Sequence, residues 1–124
     1  MTTADLAGAP AFETDGITMR SLAVPSRGSS QLAVWSFDMA PGAAGREHTV
    51  DREEVFVVRS GRVVGVLGGV EHVAEAGDAL IVTPGTPFSL RNDSRTERAE
   101  GTVCTSAGIT ATLDGRTILP PWAQ

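Results

Sequence analysis

The chain has 124 residues, of which 41% are hydrophobic and 20% charged, with a formal net charge of −5 and a pI near 4.9. That describes one domain able to bury its own core, and the acidic balance argues against nucleic acid, which needs a basic footprint. No apolar run approaches the roughly 20 residues of a membrane span, and no charged N-terminal segment leads into an apolar one, so the chain is expected to have no membrane partner and to be cytoplasmic.

Residues 1–16 are small, polar and punctuated by proline and glycine, and read as a loosely ordered lead-in. A barrel-forming region is expected over 17–117, as short strands separated by turn signals. The first candidates are Ile17–Val24 and Gln31–Met39, the second with clear alternation that puts Trp35, Phe37 and Met39 on one face. Glu54–Arg59 follows, with Glu54, Phe56 and Val58 sharing a side. Arg62–Leu67 and Val70–Ala74 flank Gly68-Gly69, a hairpin signal. Ala79–Val82, Phe88–Arg91, Gly101–Thr105 and Thr110–Leu113 complete the set. No segment keeps a 3.6-residue apolar period over three turns. The pattern implies an all-β sandwich or barrel and goes no further. The last residues, 118–124, are apolar and stiffened by Pro120-Pro121, which suits an extended segment lying on a surface, such as that of a neighbouring subunit.

The chemical inventory is short. All ten basic residues are arginine, so there is no lysine for a Schiff base, and there is no tyrosine. Cys104 is the single cysteine, which rules out an intrachain disulfide. Groups able to move protons near neutral pH are therefore His48, His72, Cys104 and the carboxylates. His72 reads as a surface or edge-strand histidine and Cys104 as a small buried hydrophobe. The mixed charges of Arg91–Arg98 read as an exposed loop.

Two segments carry a recognisable spacing. In the first, Gly42, His48, Val50, Glu54 and Gly61 stand in order. In the second, they are Gly77, Thr83, Gly85, Phe88 and Asn92. In order and spacing the pair resembles the two motifs of the cupin superfamily, and the resemblance implies a jelly-roll β-barrel, often dimeric and usually holding a metal. Val50 stands where the second histidine of the first motif belongs, and Phe88 where the histidine of the second belongs. A catalytic metal usually has three protein donors. With two of the four ligand positions lost, no metal and no cofactor are expected.

What remains reads as a small-molecule site. His48 and Glu54 are the candidate acid–base pair, and whether burial or mutual attraction dominates their titration is open. Val50, Phe56, Phe88, Leu90, Trp35 and Phe37 are the candidate apolar lining for a flat or apolar organic molecule. The bland alternative is a barrel packed solid with side chains. The expected function is binding of such a molecule with metal-independent isomerase, cyclase or lyase chemistry. The alternatives are a non-catalytic sensing barrel, a metal-dependent oxygenase with an unusual ligand set, or a purely structural homodimer.

Overall fold

The period-two pattern of residues 32–39 becomes the longest run of alternating burial in the first half of the chain, and the remaining strands assemble around it. The computed structural model describes all 124 residues. In chain order its strands are β1 (Ala11–Thr14), β2 (Ile17–Ser21), β3 (Leu32–Met39), β4 (Thr49–Val50), β5 (Glu54–Ser60), β6 (Arg62–Leu67), β7 (Val70–Glu75), β8 (Ala79–Val82), β9 (Phe88–Arg91), β10 (Ala99–Ser106), β11 (Ala111–Leu113) and β12 (Arg116–Ile118). There is no α-helix, so no helix is long and apolar enough to cross a membrane.

One layer is a six-stranded antiparallel sheet ordered β1-β2-β3-β10-β5-β8. Facing it are two three-stranded sheets, β7-β6-β9 and β12-β11-β4. Isolated bridges at Ala44–Arg91 and His48–Phe88 tie β9 to the segment leading into β4. The two layers form an all-β jelly roll. Its core is built from the inward positions of all strands but β1 and β12, including Trp35, Phe37 and Met39 of β3 and Phe56 and Val58 of β5. The central strand β10 makes room for them. Gly101 lies opposite Phe37, and a Cβ there would sit 2.6 Å from the phenyl ring, so only glycine allows this ring to approach the strand so closely.

Three hairpins turn on residues with positive φ at both central positions: Gly68-Gly69 (58° and 81°), Asp15-Gly16 (54° and 79°) and Asp114-Gly115 (50° and 75°). Such turns match the twist of the strands they join. The first is the hairpin the sequence signalled. The other two create β1 inside the expected lead-in and β12 at the end of the barrel region. The surface on which the C-terminal residues lie is that of their own barrel. Pro121–Ala123 form a single 3-10 turn packed on β2 and β3. The Ser21 hydroxyl donates to the Trp122 carbonyl at 2.7 Å, and the Ser26 N–H donates to the Gln124 carbonyl at 2.7 Å. Burying Ala123 completely seals that contact.

Candidate active site

The barrel is not filled. A cavity of about 420 Å³ opens at one end, lined by 20 residues of which 13 are hydrophobic. That volume lies in the range that holds a small organic ligand, so the solid-core alternative fails. Trp35 and Phe37 of β3, Phe56 of β5, and Phe88 and Leu90 of β9 line it, as the alternation of their strands predicts. Val50 is buried but lies outside the lining, in β4 opposite Ala111. Along β5 the lining ends at Phe56, and Val58 belongs to the solid part of the core.

Several wall residues were not foreseen. Ile17 and Met19 enter through the β1–β2 hairpin, and Ile118, Pro121 and Trp122 through the docked C-terminal segment. Thr14, Asp15 and Arg46 reach the cavity from the hairpin and the loop before β4. Two of the three hairpins carry an Asp-Gly pair, a strong local signal that would have located β1 and β12. The docking of the tail has no such local signal.

Arg46 reaches Asp15 at 3.7 Å and Asp114 at 3.9 Å, joining the turns of the first and last hairpins. Both pairs are largely exposed, so they are worth little as stability. Their effect is to balance the one arginine at the cavity.

His48 and Glu54 both line the cavity, yet neither a hydrogen bond nor an ion pair joins them. His48 is held from two sides. Its backbone exchanges hydrogen bonds with Phe88 (3.0 and 2.9 Å), and its ring lies 4.3 Å from the Phe88 ring at 47°. Its Nδ1 is 2.9 Å from the Arg46 carbonyl, which can only accept, so Nδ1 carries the proton. In the neutral imidazole Nε2 is then the acceptor. Glu54 is 5% exposed and has no hydrogen-bond partner in the protein, while no side-chain oxygen is sealed away without one. Its carboxyl therefore opens into the cavity. Burial, with no compensating charge, pushes its pKa up to about 8. For Glu54 the balance left open by the sequence falls to burial.

The residues present do not fit a metal centre. Of the four ligand positions, two offer hydrocarbon, and nowhere do three or more His, Cys, Asp or Glu side chains gather as a metal site would need. His72 is exposed on β7, and Cys104 points away from the core on β10, so neither supplies a missing donor.

Comparisons with known proteins agree with this architecture. The family model described as a cupin domain matches residues 35–103. No curated protein matches the sequence. Among solved structures, an RmlC-like cupin from Shewanella frigidimarina is similar at 18% identity and a TM-score of 0.72, covering 86% of this chain and 90% of its own. Pac13, a nucleoside dehydratase, is similar at 18% identity and a TM-score of 0.71, over 86% of this chain and 82% of its own. The polyketide cyclase RemF from Streptomyces resistomycificus matches at 18% identity and a TM-score of 0.74, over 98% of this chain and 82% of its own. At these identities the likeness is one of fold.

Proposed function

The chain belongs to the cupin family, and on that premise we propose that it binds an apolar or aromatic small molecule in its barrel and performs metal-independent acid–base chemistry on it, of isomerase, cyclase or lyase type. One observation carries this reading: a buried carboxyl without a protein partner opens into an aromatic cavity that also holds an imidazole. A carboxyl with a pKa near 8 keeps its proton in roughly nine molecules of ten at pH 7. Glu54 is therefore the acid and His48, through Nε2, the base. Acids and bases with pKa values near the working pH are the efficient ones. The apolar wall excludes water from whatever is bound. That a dehydratase and a cyclase share the fold supports proton-transfer chemistry on this scaffold.

The setting belongs to the same proposal. Val57 and Ile81, exposed on β5 and β8, support pairing of two copies into a homodimer, which light scattering on the purified protein would read directly. The unpaired Cys104 is compatible with a cytoplasmic location.

The site is tested with a panel of two- and three-ring phenols and ketones, screened by thermal shift in buffer containing EDTA. At least one compound should raise the Tm progressively with its concentration. Ala111→Trp, which pushes an indole into the cavity from β11, should abolish the shift. A panel with no shift, or a shift that survives this filling, would end the reading.

A further inference from the structure

The nature of the substrate can be narrowed from the polar groups the cavity offers and from how each is already engaged. In the cavity these are the buried Glu54 carboxyl and the half-buried His48 imidazole, alongside Phe37, Phe56 and Phe88. The three phenyl rings form a chain, with centroids 6.2 Å apart between Phe37 and Phe56 and 6.0 Å between Phe56 and Phe88. The remaining charged groups, Arg46 and Asp15, lie against each other and against Asp114. Arg46 is faced by two carboxylates, so no free cation is left at the cavity to meet an anionic ligand. Burying a phosphate or carboxylate there would cost far more than the few available hydrogen bonds return. The cavity therefore suits an uncharged occupant.

Its functional group follows from the two free valences. A protonated carboxyl without a protein partner donates to an oxygen of the ligand. The His48 Nε2 lone pair, set by the Nδ1–H bond to the Arg46 carbonyl, accepts a proton from the ligand. Because the two side chains are not paired with each other, both remain available at once. Donor to oxygen and acceptor from a neighbouring atom is the requirement of a carbonyl with an acidic α-hydrogen.

Resting on the acid–base reading above, we infer that the barrel takes an uncharged aromatic ketone and that His48 and Glu54 interconvert it with its enol. The α-C–H bond breaks, and its proton goes to His48 Nε2. The electron pair becomes the C=C bond, and the carbonyl π pair takes the proton of the Glu54 carboxyl. The products are a neutral enol, an imidazolium and a carboxylate, whose opposite charges sum to zero inside the barrel. Reversal at the same carbon exchanges the hydrogen, and reversal at another carbon of an extended enol gives an isomer. No oxidant, reductant or further reactant is needed.

The experiment uses 2-tetralone, a benzo-fused two-ring ketone with acidic α-hydrogens, incubated with the protein in D2O. The chain has two tryptophans, Trp35 and Trp122, and both line the cavity, so quenching of intrinsic fluorescence reports occupancy separately from chemistry. The expected result is saturable quenching and α-deuteration, read by proton NMR, at least tenfold faster than with an equal concentration of the Ala111→Trp variant. His48→Gln and Glu54→Gln should each still quench on titration and should each lose the acceleration. Glu54→Asp, which keeps the acid but withdraws it, should retain part of it. Quenching by the wild type without faster exchange, or acceleration that survives both Gln variants, overturns the enolisation and leaves the ligand-binding reading standing. Absence of quenching overturns the uncharged-ketone assignment itself, while the phenols of the thermal-shift panel decide the broader reading independently.

Discussion

The ring of Phe88 lies 4.3 Å from that of His48, and the two residues exchange both backbone hydrogen bonds across an antiparallel bridge. This pairing joins the two sequence motifs in space. It also shows what the phenylalanine does. At a position facing both His48 and the cavity, a side chain with a lone pair would offer a further donor, whereas the phenyl ring packs against the imidazole and steers it. Phe88 is 1% exposed, so its burial contributes about 2–3 kcal/mol to the core as well.

Phe88→His should therefore create a metal site. It would add a third donor beside His48 and Glu54, the usual minimum for a protein-bound catalytic ion. Adding Ni²⁺ should raise the Tm of the variant, reversibly with EDTA, and leave the wild type unchanged. An equal response from both proteins would mean that position 88 does not face the other two donors as described.

Glu54 should make stability fall as pH rises. In the unfolded chain its carboxyl ionises near the ordinary value of 4.5, whereas burial holds the folded value at about 8. Below the lower value both states are protonated and the group costs nothing. Between the two values the unfolded state alone gives up its proton, and each pH unit favours unfolding by about 1.4 kcal/mol. The accumulated loss at pH 8 is on the order of 4–5 kcal/mol. Urea denaturation at several pH values should show this slope in the wild type and lose it in Glu54→Gln. A Gln variant with the same pH dependence would place the titrating group elsewhere.

Gly101→Ala should damage the fold and the cavity together. The added methyl would meet the Phe37 ring and the Val57 carbonyl, both too close to accept it. Overpacking of this kind costs roughly 1–3 kcal/mol, and the displaced Phe37 would intrude on the lining. Lower denaturant midpoints together with weakened fluorescence quenching by 2-tetralone are expected. A variant as stable as the wild type would contradict the close approach of Phe37 to β10.

Ser21→Ala should loosen the C-terminal segment. It removes a 2.7 Å hydrogen bond from a buried hydroxyl to the Trp122 carbonyl. A net loss of about 1 kcal/mol is expected, concentrated in the tail rather than spread over the barrel. Hydrogen exchange should rise at residues 122–124 and remain slow in β3 and β10. Uniformly faster exchange would show that the tail is not an independent flap of the wall.

Local patterning carried most of the architecture. Alternation in β3 and β5 put Trp35, Phe37, Glu54 and Phe56 on the inner face, because side chains two apart on a strand point the same way. Glycines marked the turns, and the two spaced motifs pointed to the family and placed Val50 and Phe88 where its pattern carries histidine. Those are facts of order and spacing, and a sequence holds them. Tertiary structure decided the rest, since it depends on distance between residues far apart in the chain. It left a cavity where side chains of the same composition could have closed the barrel, brought Trp122 back from the C-terminus to wall it, and left Val50 outside the lining. It also buried Glu54 without an ion-pair partner, and that burial holds its carboxyl protonated well above the ordinary range.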